Sequence, residues 1–179
     1  MAQIKLQADG LNLADTFAFS GTVTGAGGIT EADQWRLTAS ITTDVDPIAS
    51  NLERVDDASF EKIGTGMSVS SGYWTFPSTG LYMVKTDVAA ATDGDDNVRI
   101  DVSATIDDST YDLIARAFAG CDDDSTANTA NTTNYVNVTD VSNVKVSFAA
   151  GSIGASSYFQ ADTNYSFTSF TFIRLGDSQ

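Results

Sequence analysis

The sequence predicts an all-β sandwich, and three observations carry that reading. Apolar residues recur at every second position, most clearly in Val98-Arg99-Ile100-Asp101-Val102-Ser103-Ala104-Thr105-Ile106. A period of two belongs to a strand with one buried face. Gly, Asp, Asn and Ser punctuate these segments at short intervals, the spacing of a sandwich rather than of alternating strands and helices. Four aromatics, Tyr73, Trp74, Phe76 and Tyr82, crowd the corner Pro77-Ser78-Thr79-Gly80. Proline lacks a donor and Gly80 supplies backbone freedom, so this is a turn flanked by β-formers. The simplest arrangement is an antiparallel pair, Tyr73–Phe76 against Leu81–Val84, with its aromatics in the core.

Residues 1–28 read differently from residues 29–179. Ile4 and Leu6, Leu11 and Leu13, Phe17 and Phe19 are apolar pairs spaced by two, followed by Gly25-Ala26-Gly27-Gly28. That describes an extended arm and a flexible hinge. The arm either docks outside its own domain or joins the sandwich as a first strand. Glu31–Leu37 reads as one helical turn or a lead-in, and Leu37–Thr42 as a strand. Asp44–Pro47 is a turn and Leu52–Asp57 a polar connection. Phe60–Gly64 and Met67–Ser70 are short strands. Beyond the corner, Leu81–Ala90 is a long strand, and Asp93–Asn97, with its Asp-Gly, a hairpin loop. In the next strand Val98, Ile100, Val102, Ala104 and Ile106 should face inward. Asp107–Ser109 turns into a strand over 111–118. Asp122–Asn134 is a polar loop. Tyr135–Val138 and Val144–Phe148 are strands, 149–157 a connection, and Ser166–Leu175 a closing strand. Apolar residues on both faces place that last strand mid-sheet or at a subunit interface.

Composition bounds the function. At 179 residues, 42% hydrophobic and 10% aromatic, the chain supports one domain with a real core. A net charge of −15 repels phosphate and anionic lipid, so neither nucleic acid nor membrane is an expected partner. No segment approaches a membrane span, and Met1–Gln7 lacks the pattern of a signal peptide, which predicts synthesis in the cytoplasm. There is no histidine, which removes the commonest general base and weakens any zinc or iron site. The lone Cys121 cannot form an internal disulfide, and three carboxylates beside it disfavour a thiolate. No nucleophile elbow or phosphate loop is present, so the expectation is a protein without enzymatic activity or cofactor. Calcium is the one metal the residues suit, through Asp93, Asp95 and Asp96 or through Asp122, Asp123 and Asp124. Neither run has EF-hand spacing.

The order of landmarks over roughly residues 35–175 resembles the globular domain of the C1q/TNF-like superfamily. Gly72, Trp74, Gly80 and Tyr82 are similar to that family's corner of Gly, an aromatic two residues on, then Pro-Gly-x-Tyr. Here Thr79 stands where the family has proline, and the proline is Pro77. The resemblance implies a jelly-roll sandwich that assembles as a homotrimer, not an enzyme. Tyr158, Phe159, Tyr165, Phe167, Phe170 and Phe172 give the last third more aromatic surface than one thin core needs, and around a threefold axis they would form the trimer interface. The alternative is that all of them fill one subunit.

The arm, the acidic charge and the Thr/Asn/Ala/Asp-rich composition are also similar to decoration and fibre proteins of tailed phages, notably marine ones. The expected role is then a trimeric capsid decoration (cement) protein on the virion surface, bound to the major capsid or a tail protein. Ile4, Leu6, Leu11, Leu13, Phe17 and Phe19 would be its anchor, each worth about 1.5–3 kcal/mol when buried, before ordering costs. The alternative is a tail-fibre tip or adhesin that meets a host-surface glycan or protein through the loops 93–97 and 122–134.

Overall fold

The computed structural model describes residues 28–92, 97–120, 126–154 and 156–179. The six expected anchor residues and the acidic runs 93–96 and 121–125 lie outside them. The described residues form eleven strands in two antiparallel sheets, with no helix. The strands are β1 (Ala32–Leu37), β2 (Leu52–Arg54), β3 (Ser68–Ser70), β4 (Tyr73–Thr75), β5 (Gly80–Thr92), β6 (Asn97–Thr105), β7 (Asp112–Gly120), β8 (Thr126–Val138), β9 (Lys145–Gly151), β10 (Tyr158–Phe159) and β11 (Ser169–Gly176). One sheet is built on β5. β8 pairs along its whole length on one side; β11 and then β10 share the other, and β1 and β2 continue beyond β11. The second sheet runs β3-β4-β9-β6-β7. This is a jelly-roll sandwich, as the sequence predicts.

The aromatic corner is not a paired hairpin. β4 lies in the second sheet and β5 in the first, so Pro77–Gly80 carries the chain across the sandwich. Trp74, Phe76 and Tyr82 all reach the interior from opposite sides of that crossing. Trp74 sits 5.1 Å from Trp35, 5.1 Å from Phe172, and 5.9 Å from both Phe148 and Phe170. Each such pair adds about 0.5–1.5 kcal/mol beyond the area it buries. The Trp74 indole N–H has no hydrogen-bond acceptor among these rings.

Other expectations are corrected in the same way. β5 and β6 belong to different sheets and do not pair with each other as a hairpin. Ala32–Leu37 is the strand β1 rather than a helical turn or a lead-in, with Asp33 and Leu37 buried. Beyond Leu37 the chain leaves the sheet, and Ile41 makes only an isolated bridge to Phe159. Leu52–Arg54 is a strand, because Glu53 must stand beside Arg36. Phe60–Gly64 is reduced to one bridge, Ile63 to Ala32. Ile106 is 81% exposed. Asp107 accepts from the backbone N–H of Ser109 (2.9 Å) and Thr110 (2.8 Å), and this turn ends β6 before Ile106 can reach the core.

The largest correction concerns residues 126–134. The polar loop is the first two thirds of β8, a thirteen-residue strand. Its alternation is visible: Ala130, Thr132, Val136 and Val138 are buried, Asn134 is half-buried, and Asn131, Thr133 and Tyr135 between them are exposed. It is written in Thr, Asn and Ala because β7 presents only Ala115, Ala117 and Ala119 to the interior opposite. A hydroxyl pair, Thr86 with Thr132 at 2.9 Å, replaces apolar packing there.

Candidate functional site

Inward positions of β5 are even-numbered, so Leu81, Met83, Lys85, Asp87, Ala89 and Ala91 face outward. Strand register carries this outer face across the sheet. Tyr135, Met83, Ile173, Ala32 and Ile63 stand in one row, each opposite the next on a neighbouring strand. At the usual strand separation that row is about 19 Å long. Leu81 lies beside it, and Tyr135 is 67% exposed at its end. The next row is Thr133, Lys85, Thr171 and Gln34, whose amide Nε2 donates to Thr171 Oγ1 at 3.3 Å. The row beyond is Asn131, Asp87, Ser169 and Arg36.

The charge pattern of this face is unusual for so acidic a chain. Across β8, β5 and β11 only Lys85 and Asp87 carry charge on it, and they form an ion pair with each other. At the β1 margin the Arg36 guanidinium is buried beneath Glu53, Asp56 and Asp57. Burial lowers its pKa, but the bonds and charges of Glu53 and Asp57 together outweigh that and raise it. Elsewhere every described arginine is also paired with a carboxylate, and Lys145 with Asp108. The surplus charge outside this face is therefore acidic.

From Tyr135 the face turns into a groove of about 550 Å³ at the edge where β7 meets β8. Ile106, Ile114, Val136 and Val144 line it. A partly apolar face and a groove with four aliphatic side chains thus meet at Tyr135.

The residues expected at a trimer interface divide. Phe159, Phe170 and Phe172 are at most 1% exposed and fill the core between the sheets, so they cannot meet another subunit. Tyr165 and Phe167 are 65% and 43% exposed, with ring centroids 6.2 Å apart, and Tyr158 is half-buried. Phe167 lies against Asp87, Ala89, Thr129 and Asn131, at the upper end of the outer face. Sequence reasoning missed Leu81, Met83, Tyr135 and Ile173. Leu81–Ala90 and Tyr135–Val138 both read as strands in the sequence, but nothing there says that they pair and set Met83 beside Tyr135.

The remaining titratable clusters are satisfied structural groups. Asp33 accepts from Arg54, from the Trp35 indole (2.9 Å) and from the Met67 amide (2.8 Å). Burial raises the pKa of Asp101, but two bonds from Arg116 (2.6 and 2.7 Å) and one from Arg99 outweigh it and hold the carboxyl below the usual range. Tyr111 packs 4.9 Å from Tyr73, and burial, aided by Asp108, pushes its phenol up to about 12. Among the described residues no group of three or more acidic, Cys or His side chains is placed to hold a metal, and no helix could cross a membrane. The six carboxylates of the calcium expectation fall outside those residues.

Solved structures share this fold. The chain is similar to murine APRIL, at 13% identity and a TM-score of 0.57, covering 81% of this chain and 98% of that one. It is likewise similar to Eiger TNF from S. frugiperda, at 10% identity and a TM-score of 0.62, covering 83% and 94%. These likenesses show a TNF-like jelly-roll fold and nothing finer. No protein-family model matches the sequence, and no curated protein matches it.

Proposed function

We propose that this is a structural virion protein, a homotrimeric capsid decoration protein without enzymatic activity. Its jelly-roll body projects from the shell and residues 1–28 anchor it. One observation carries the assembly part: a nearly uncharged, partly apolar sheet face on a chain of net charge −15, with Tyr135 67% exposed at its end. Copies of such a chain repel one another through most of their surface. They can meet where the charge is cancelled and apolar area is available. The groove at the β7–β8 edge adds a second, differently shaped apolar surface. A head-to-tail contact that seats the edge of one copy on the face of the next uses both, and with a threefold rotation it closes into a ring. The fold likeness to TNF-type proteins supports three copies. The virion setting is supported by the sequence's resemblance to phage decoration proteins and by the apolar pairs of the arm.

The first test is solution mass by light scattering at moderate salt, where a trimer is expected and a monomer would overturn the assembly reading. The second is deletion of residues 2–24. It should leave a trimer that no longer binds shells; undiminished decoration would remove the arm as anchor.

A further inference from the structure

We propose that the upper end of the outer face binds one neutral sugar ring, with Phe167 and Tyr165 against its apolar side and Asp87, Asn131 and Thr129 on its hydroxyls. This goes beyond the assembly reading and does not depend on the number of subunits. Asp87 and Asn131 stand opposite each other on β5 and β8, and Ala89 and Thr129 form the next outward pair. Together with Phe167 they border a hollow of about 180 Å3. Ala89 contributes only a methyl group, which leaves the space beside the two pairs open. Phe167 is 43% exposed and Tyr165 65%, so two neighbouring rings, 6.2 Å apart, meet solvent at this end of the face. Backbone bonds hold them in place. The Ala89 N–H donates to the Phe167 carbonyl at 3.0 Å, and the Phe167 N–H to the Tyr165 carbonyl at 3.0 Å. The buried Thr168 hydroxyl donates to the Gln160 carbonyl at 2.8 Å. The site stands at the far end of the face from the apolar row, since Ala89 lies six residues, about 20 Å, beyond Met83 on β5.

Each part of this arrangement answers a part of a sugar. One side of a pyranose carries C–H groups and packs on an aromatic ring, while its rim of hydroxyls needs donors and acceptors. Asp87 gives only Oδ2 to Lys85. Among the described residues, Asp87 Oδ1, the Asn131 amide and the Thr129 hydroxyl have no hydrogen-bond partner. A carboxylate oxygen accepts from a hydroxyl, an amide both donates and accepts, and a hydroxyl does either. A purely apolar ligand would strip these groups of water and return nothing. The hollow is smaller than the roughly 300–1,000 Å3 of sites for drug-sized ligands, so it suits a single ring. Charge narrows the class further. The net charge of −15 repels sialic, uronic and sulfated sugars, and Asp87 already matches the one nearby cation, Lys85.

The test is saturation-transfer NMR on the full chain. The probes are the methyl glycosides of glucose, galactose, mannose and N-acetylglucosamine, with methyl glucuronide as the charged comparison. At least one neutral glycoside should bind saturably with a Kd of about 1–10 mM, and the glucuronide should not. F167A and N131A should each weaken that binding at least about tenfold. A89L, which fills the hollow and removes none of its polar groups, should do the same. Should F167A fail to fold, N131A and A89L give the same reading, because both positions point outward from the sheet. Absence of binding by all four neutral probes would overturn the proposal. So would binding that N131A and A89L leave unchanged, or a glucuronide that binds as well as the neutral sugars. A monomer that binds the sugar would overturn the trimer reading and support this one.

Discussion

The hydroxyl pair between β5 and β8 allows a test in which two damaging substitutions repair each other. Thr86 is fully buried and Thr132 nearly so, and their Oγ1 atoms are 2.9 Å apart. Thr132 also accepts from Asn134 Nδ2 at 3.2 Å. Replacing Thr132 with Val leaves the Thr86 hydroxyl without that partner, away from water, and deprives Asn134 of an acceptor. Orphaning a buried polar group costs about 1–3 kcal/mol, and T132V should lie in that range. T86V should cost less, about 0.5–1.5 kcal/mol, because Thr132 keeps Asn134. The double variant T86V/T132V removes both hydroxyls at nearly constant shape and should fall within about 1 kcal/mol of wild type. The coupling between the sites is then about 1–2 kcal/mol in favour of the double variant. Denaturant unfolding at one fixed protein concentration measures it, with unchanged m-values as the control. If the two single costs simply add, to within about 0.5 kcal/mol, the hydroxyls are not satisfying each other and the account of this polar interior is wrong.

Three further predictions follow from named contacts. W74A should destabilise the body by about 3–5 kcal/mol, and W74F by clearly less, since it keeps most of the ring contacts and removes the unpartnered N–H; thermal melts that rank them equally would refute this. Gly80 has φ of 153°, and an added Cβ would lie 2.7 Å from the Gly176 carbonyl oxygen and also meet Arg174 Nε, so G80A should cost more than about 1 kcal/mol in the same melts. The Asp101 carboxyl titrates lower in the folded chain than unfolded, so its contribution is present above the unfolded value near 3.8 and is lost as pH falls through the folded one. Wild type should therefore lose stability below about pH 4 more steeply than D101N, and parallel curves between pH 2 and 6 would show that Arg116 and Arg99 do not depress it.

How far the fold could be read from sequence depended on how each strand earns its place. β6 was plain because Val98, Ile100 and Val102 alternate with polar residues and all three are buried. β11 was plain too, and its mid-sheet position between β5 and β1 follows from apolar residues on both faces. β8 was hidden, because a strand facing Ala115, Ala117 and Ala119 needs only small inward groups. Its period of two is carried by Thr132 and Ala130 instead of Val and Ile. The corner was misjudged for another reason. Alternation shows which residues share a face, but not whether successive strands pair with each other or lie in opposite sheets. Tyr73–Thr75 and Gly80–Thr92 satisfy the same pattern either way.

The candidate interface was out of reach for a related reason. Phe170 and Phe172 lie on one side of β11, and Thr171 and Ile173 on the other, and sequence alone does not say which side is inside. Size decides it. The space between the sheets around Trp74 takes the large rings, and the flat outer face takes Ile173 beside Met83 and Tyr135. The net charge of −15 could be read directly, but its distribution could not. Lys85 and Asp87 are two residues apart in a chain with many acids, and nothing in the sequence separates them from the rest. They become distinctive only when register sets Asn131, Thr133, Ser169 and Thr171 around them. A neutral patch on a strongly acidic protein is a property of the fold, assembled from three strands that lie as far apart in the chain as residues 81, 135 and 173.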